Sequence, residues 1–377
     1  MSLPKEQTQV HLLQRPGAKP ISEEILGVVT SPLSIPDPLP KGHVVVKNQV
    51  LSLDPSMRPS MNPDRKSYRP PAPLNEVFWA GGLAEVVASS HDEFQVGDRV
   101  LSGAAGAQEY AVVDVEASRK SGYFTKMDPA KGIPDLEYLG ALWGTGLAAY
   151  LGLIEVAKVR KGDRVLVSGA AGATGGLVIQ MARLMGASLI VGVAGGPEKK
   201  RYVVEELGAD ECIDYRDEDY MKQIAKISDR PEGGIDLYFD NVGGNTLDAA
   251  LLAMNPAGRI ACCGSISGYS GNPQGLKNAF VIVQRRLMLQ GYIAFPSFWP
   301  SETWQKAIRD LATWTAQGKL KTRFHFHQQV GVQHFRQALV DLFAGKNQGK
   351  MLLQVDPQYK PALTEAAGSQ AGVKARG

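Results

Sequence analysis

Between about residues 26 and 115, apolar positions come in short runs broken by Gly and Pro: GHVVVKNQVLSL, GGLAEVVAS, DRVLSG and EYAVV. Short β-type runs with turn residues between them predict a compact all-β unit. Pro59 to Asn75 interrupts them with no period and much Pro, Arg and Tyr, which predicts a long surface loop of the functional kind. From about residue 136 the texture changes. LEYLGALWGTGLAAYLGLIEVA has helix-like apolar spacing in spite of its glycines. Strand and helix patterns then alternate through DRVLVSG, GLVIQMARLMG, SLIVGVAG, PEKKRYVVEELG, DECIDY, IDLYFD, TLDAALLAM and GRIACCG. In the second of these, Leu177, Met181 and Leu184 share one helical face. Strands alternating with helices of this length predict βαβ units, a parallel sheet and an α/β fold. Beyond residue 300, WQKAIRDLATWTAQG and HFRQALVDLFAG read as amphipathic helices and MLLQV as a closing strand. No internal repeat is visible. The polar, Ala/Gly-rich stretch from Pro357 is expected to be disordered.

The length of 377 residues fits about two domains. A net charge of +3 from 41 basic and 38 acidic residues argues against a nucleic-acid partner, which would call for a clustered basic face. The three cysteines, Cys212, Cys262 and Cys263, suit free thiols in a reducing compartment. MSLPKEQTQV has no apolar signal-type region, no run reaches the roughly 18 apolar residues of a membrane span, and KARG is no retention signal. A cytoplasmic protein without a membrane partner is the expectation.

Candidate chemistry begins at VSGAAGATGG, Val167 to Gly176. Small residues after a strand and before a helix allow a tight turn, and they let backbone N–H groups and the helix N-terminus approach a pyrophosphate. At the end of the next strand, where NAD sites carry an acid, the chain reads Gly195-Gly196-Pro197-Glu198-Lys199-Lys200-Arg201. A missing carboxylate and a following lysine favour a 2′-phosphate, hence NADPH, although the basic residues could also form an ordinary solvated helix face. Asp240-Asn241-Val242-Gly243-Gly244, and then CGSISGY ending at Tyr269, follow two further strands where α/β sheets bind ligands. No metal site is expected, since the cysteines lie near strands and His325 and His327 have no evident third ligand. Ser168 lacks the GxSxG context of a nucleophile.

In this order the pieces resemble the medium-chain dehydrogenase/reductase superfamily. Phe78-Trp79-Ala80-Gly81-Gly82 stands where zinc-binding members carry Gly-His-Glu, so the chain resembles the zinc-independent side. LSLDPSMR, YRPP, VLVSGAAGATGG, GGPEKK, YFDNVGG, CGSISGY and GKNQGK are similar to the branch of prostaglandin reductases (leukotriene B4 dehydrogenases), plant double-bond reductases and curcumin reductase, over roughly residues 8 to 356. The resemblance implies a GroES-like β-rich catalytic domain (1–145), a Rossmann nucleotide-binding domain with a doubly wound parallel sheet (146–300), a return segment (301–356) and a tail (357–377). It implies NADPH held by Gly172, Ala173, Thr174 and Gly175, by Lys199 at the 2′-phosphate, and by Tyr215 and Asn241. Cys263, Gly264, Ser265, Ile266, Ser267 and Tyr269 would run along the cofactor, and Tyr292, Ile293, Ala294 and Asn347 would close over the nicotinamide. The implied reaction is ene reduction, the CH–CH class: hydride reaches the β-carbon of an α,β-unsaturated ketone or aldehyde while Tyr269 stabilises the enolate. The implied partners are that small molecule and a second copy of the chain.

The chain departs from this branch at Ser56, Ala107 and Gly144, where relatives often carry larger side chains. The substrate pocket is therefore expected around Ser56, Tyr68, Phe78, Trp79 and Ala107, the aromatic residues refilling the space. Quinone reduction, and nucleotide binding without catalysis, stay open as alternatives.

Overall fold

The computed structural model describes residues 3–64, 66–120, 124–128, 132–271 and 273–361. Strands β1 (Glu6–Leu12) and β2 (Leu26–Pro32) form an antiparallel ribbon. The first of them precedes the β-rich run expected from the pattern. Its buried apolar residues, Val10 and Leu12, alternate with polar ones over too short a span to stand out.

The alternating runs that follow become β3 (His43–Ser52), β4 (Gly82–Ser89), β5 (Arg99–Ser102), β6 (Tyr110–Asp114) and β7 (Phe124–Lys126). The βα series then supplies β8 (Arg164–Ser168), β9 (Leu189–Ala194), β10 (Glu211–Asp214), β11 (Ile235–Asp240), β12 (Met254–Cys262) and β13 (Met288–Gly291). These six lie in the order β10-β9-β8-β11-β12-β13, and every pairing is parallel. Val165, Leu166 and Val167 of the central strand are wholly buried, as a sheet covered on both faces requires. Leu177, Val178 and Met181 of the helix Ala173–Leu184 cover one face, and Ile224, Ala250 and Leu251 belong to the cluster on the other. The fold is therefore α/β, with a Rossmann-type doubly wound sheet beside a β-rich unit. The strand order reverses between β8 and β11, where such sheets leave a crevice at their carboxyl ends.

The chain then returns. Strands β14 (Phe324–Phe326) and β15 (Lys350–Gln354) join the N-terminal sheet in the order β14-β15-β3-β4-β5-β7, with β6 pairing β3. The segment ahead of β15 touches both sheets: the Gly349 N–H donates to the Ala171 carbonyl at 2.8 Å. Gly349 has φ +80°, and a Cβ there would lie 2.1 Å from the Arg323 carbonyl oxygen, so only glycine fits.

Two expectations change. The helix expected over 136–157 is broken into a 3-10 turn (Asp135–Tyr138), a helix (Gly144–Tyr150) and a wider π-type turn (Leu151–Val156). Close packing explains the glycines: a Cβ on Gly146 would strike the Ala141 carbonyl at 1.7 Å, and one on Gly152 the Tyr292 hydroxyl at 2.1 Å. At the C-terminal end, residues 357–361 are docked. Tyr359 is buried, the Arg99 guanidinium lies 5.6 Å from its ring centre, and Arg99 donates to the Lys360 carbonyl at 2.8 Å. Residues 362–377, the rest of the stretch expected to be disordered, lie outside the described residues.

Gly349→Ala is expected to cost about 1–3 kcal/mol or more, from its positive φ and the carbonyl clash. Thermal denaturation checks it. An unchanged Tm would mean that the return segment shifts without cost.

Candidate active site

The crevice is built on a buried carboxylate. Asp240, at the end of β11, is 1% exposed. Its Oδ1 accepts the Tyr238 hydroxyl (2.6 Å), the Gly243 N–H (2.9 Å), the Val242 N–H (3.0 Å) and the Ser168 hydroxyl (3.1 Å). Burial raises its pKa above the usual carboxylate range, and these donors oppose the shift. The Ser168 oxygen in turn accepts the Asn241 N–H at 2.9 Å, and the Asn241 side-chain amide donates to the Ser168 carbonyl at 2.7 Å. Ser168 is thus a strut between β8 and β11. The network orients the two loops that flank the switch point.

On the β8 side, Gly169 has φ +60°, and a Cβ on Gly175 would lie 2.3 Å from the Gly169 carbonyl oxygen. The helix Ala173–Leu184 therefore starts hard against the turn. Gly172 sits at its N-cap with no side chain capping it among the described residues. Uncapped first-turn N–H groups and the positive end of the helix dipole make a site for a pyrophosphate.

At the end of β9, a Cβ on Gly195 would be 2.5 Å from the Tyr215 ring, so the half-exposed tyrosine lies against the glycine. Lys199 reaches across the crevice and donates to the Gly345 carbonyl at 2.6 Å. Burial holds its pKa below the ordinary lysine value of 10.5, and the Arg216 charge adds to the shift. A partly desolvated ammonium beside an open aromatic face can take an adenosine 2′-phosphate. The strand end itself carries glycines in place of an acid, and the Asp214 carboxylate of the next strand accepts the Gly196 N–H at 2.8 Å.

After β12, the loop 263–269 folds onto the β11 loop. Ser267 Oγ donates to the Val242 carbonyl at 2.6 Å, and the Ile266 N–H to the Asn241 carbonyl at 3.3 Å. The Tyr269 hydroxyl accepts the Ser265 N–H at 3.2 Å, which leaves its own proton to be donated elsewhere. Burial pushes this phenol upward, so it stays protonated at neutral pH. Burial likewise pushes the Cys263 thiol up to about 11. The Tyr292 hydroxyl donates to the Ala148 carbonyl at 2.6 Å.

These loops face the N-terminal unit across a cavity of about 770 Å³. It brings together Gly172 to Gly175, Lys199, Tyr215, Asn241, Cys263, Gly264, Ile266, Ser267, Tyr269, Tyr292, Ile293, Ala294 and Asn347, with Ser56, Tyr68, Trp79 and Gly144 on the facing side. Three residues expected on the wall are not on it. Ser265 turns toward Gly243, whose added Cβ would be 2.3 Å from the serine oxygen. Phe78 and Ala107 are buried in the core behind the wall. The Phe78 N–H donates to the Val10 carbonyl and the Ala107 N–H to the Phe78 carbonyl, each at 2.8 Å, and Phe78 packs edge-on against Phe335. Ala107 therefore leaves no room for a substrate, whereas Ser56 and Gly144 border the cavity.

Other wall residues escaped the sequence pattern. Lys350, 2% exposed at its side chain, forms an ion pair with Asp54, whose second oxygen accepts the Ser52 hydroxyl at 2.5 Å. The pair joins residues 296 apart, and no local spacing could have signalled it. Arg69 and Phe295 also line the cavity. Among the described residues, no three His, Cys, Asp or Glu side chains gather as metal ligands, and no helix is long and apolar enough to cross a membrane.

Residues 173–313 match the family model described as zinc-binding dehydrogenase, and residues 9–121 match the N-terminal domain of oxidoreductase. The NADPH-dependent curcumin reductase of Escherichia coli (strain K12) is 33% identical over 84% of this chain and 88% of its own length. The NADP(+)-dependent 2-alkenal reductase of Nicotiana tabacum is 34% identical over 87% and 91%. The crystal structure of CurA from Vibrio vulnificus in complex with NADPH superposes with a TM-score of 0.80 at 34% identity, covering 93% of this chain and 99% of that one. The chain belongs to the medium-chain dehydrogenase/reductase family of zinc-binding-dehydrogenase type, in the branch that includes the curcumin, 2-alkenal and prostaglandin reductases.

Proposed function

We propose that this protein is an NADPH-dependent ene reductase acting on α,β-unsaturated ketones and aldehydes, with Tyr269 as its enolate-stabilising residue. The cofactor is NADPH, and the chain is an NADPH-dependent oxidoreductase of the alkenal, curcumin and prostaglandin reductase type. The observation that carries the finer reading is the protonated Tyr269 phenol on the cavity wall, oriented by the Ser265 N–H.

The uncapped turn at Gly172 to Gly175 would hold the pyrophosphate, Lys199 and Tyr215 the adenosine end, and Asn241, Tyr292 and Asn347 the remainder. When bound, NADPH supplies the hydride. As the β-carbon gains it, the alkene π electrons move toward the carbonyl, and negative charge develops on the oxygen. The Tyr269 O–H donates to that oxygen and stabilises the charge where it forms. The Cys263 thiol and the Tyr292 phenol stay neutral through burial, so neither sets a competing anion beside the hydride path. The α-carbon then takes a proton from solvent or through a hydroxyl, which completes the saturated carbonyl product. Ser56 and Gly144 at the cavity border make room for a broad substrate.

We further propose a homodimer, a reading that the sheet edge supports. β13 ends the six-stranded sheet, and Met288, Phe280 and Val283 expose 59%, 68% and 69% of their surface beside it. An apolar edge of this kind is suited to a second copy.

For Tyr269→Phe, turnover with a simple enone is expected to fall roughly 100-fold or more, the scale of one lost oxyanion donor, with NADPH affinity little changed. Steady-state kinetics across enones, enals and quinones, with products identified by NMR, checks both the residue and the reaction. Wild-type turnover in the variant removes Tyr269 from the role, and activity on quinones alone removes the reaction. Lys199→Ala is expected to weaken NADPH roughly 10-fold or more, as loss of a charge-assisted hydrogen bond does, and to narrow the preference over NADH. The ammonium exists below its pKa, which burial lowers. That preference should therefore hold at neutral pH and fade as pH rises through a value under 10.5. Paired Kd titrations against pH decide it, and a constant ratio places the phosphate reader elsewhere. Light scattering should return the mass of two chains, and a single-chain mass refutes the dimer.

A further inference from the structure

The register of two strands brings a further cation to the end of β9. β10 pairs with β9 so that Asp214 lies opposite Ala194, and the Tyr215 N–H donates to the Ala194 carbonyl at 3.1 Å. The residues that follow each strand therefore meet, Tyr215 against Gly195 and Arg216 against Gly196. A Cβ on Gly195 would be 2.5 Å from the Tyr215 ring, and one on Gly196 would be 2.8 Å from an Arg216 guanidinium nitrogen. Two successive glycines are what let both side chains fold back onto the strand end. Across the crevice, a Cβ on Gly345 would be 3.7 Å from the Tyr215 hydroxyl and 3.8 Å from Lys199 Nζ. Lys199 and Tyr215 converge there, and the Arg216 charge is close enough to act on the Lys199 ammonium.

Arg216 is exposed, and its backbone N–H donates to Asp214 Oδ1 at 2.9 Å. Among the described residues its guanidinium has no hydrogen-bond or ion-pair partner of its own. The second oxygen of Asp214 accepts the Gly196 N–H at 2.8 Å. Burial would raise this carboxyl, but the two N–H donors and the charges of Arg216 and Lys200 hold it below its usual range. Asp214 is therefore ionised beside the place where a 2′-phosphate would sit. A phosphate monoester carries about −1.5 to −2 charges at neutral pH, so the carboxylate opposes it. A guanidinium against Gly196 offsets that repulsion, and its planar fork can take two phosphate oxygens side by side.

We propose that Arg216 is a second reader of the 2′-phosphate: its fork donates to the phosphate together with Lys199, its charge offsets Asp214, and it thereby sets the preference for NADPH over NADH. The proposal rests on placing the adenosine end at Lys199 and Tyr215. Calorimetric titration with 2′,5′-ADP and with 5′-AMP, which differ only in that phosphate, tests it without hydride transfer. Arg216→Gln is expected to weaken 2′,5′-ADP about 10-fold or more, as loss of a charge-assisted pair does, and to leave 5′-AMP within about twofold. Retained 5′-AMP binding also reports that the variant is folded. An unchanged Kd for 2′,5′-ADP in Arg216→Gln overturns the proposal. So does an equal loss on both nucleotides, which would make Arg216 a support for the loop. Lys199→Ala in the same titrations separates the proposal from its premise. If Lys199→Ala weakens 2′,5′-ADP selectively and Arg216→Gln does not, the placing stands and Arg216 falls. If neither variant does, the placing falls and the proposal with it.

Discussion

The hydrogen bond from Gly349 N–H to the Ala171 carbonyl is where the two halves of this protein are held in register. One partner belongs to the glycine turn after β8, and the other to the segment that leads the chain back into the N-terminal sheet. Gly349 has positive φ, and a Cβ there would strike the Arg323 carbonyl, so the segment that makes this contact needs glycine. From that contact the segment 342–351 runs along the cavity, meeting Lys199 at Gly345 and Asp54 at Lys350. A cavity between two sheets needs such a tie, because neither sheet alone would fix the width of the gap.

Electrostatics within the gap follow from burial. The Asp240 carboxylate is kept from solvent but surrounded by donors, so it organises backbone. Tyr269, Tyr292 and Cys263 are pushed toward their neutral forms, which suits them to donate or to stay inert. Two positive charges border the gap: Lys199 near Tyr215, and Arg69 with its guanidinium carbon 3.8 Å from the Trp79 ring centre. The Asp54–Lys350 pair compensates itself at the cavity floor. Removing either partner would leave a poorly solvated charge, the costly case for a buried pair.

Much of the nucleotide-binding half was legible in the chain. The central strands β8 and β9 are apolar runs with glycines just past their carboxyl ends, and those features follow locally from a sheet buried on both faces. The N-terminal unit was legible as β-rich, but β1 was not, since a half-buried ribbon leaves a shallow pattern. On the site, loops that follow strands could be read, because topology alone carries them to the crevice. The facing wall could not. Phe78 and Trp79 are neighbours, yet one packs on Phe335 and the other faces the cavity.

What the sequence by itself determined is the alternation of strand and helix, the glycine turn, the absent acid and present lysine after β9, and with them the fold class and NADPH. These depend on residues close together in the chain, whose spacing is set by backbone geometry. Only the tertiary structure decided that Asp54 meets Lys350, that Ala107 is core, and that Arg69 meets the Trp79 ring. Those facts depend on contacts across long separations in the chain, where packing of one sheet against another chooses the partners and no periodicity records the choice.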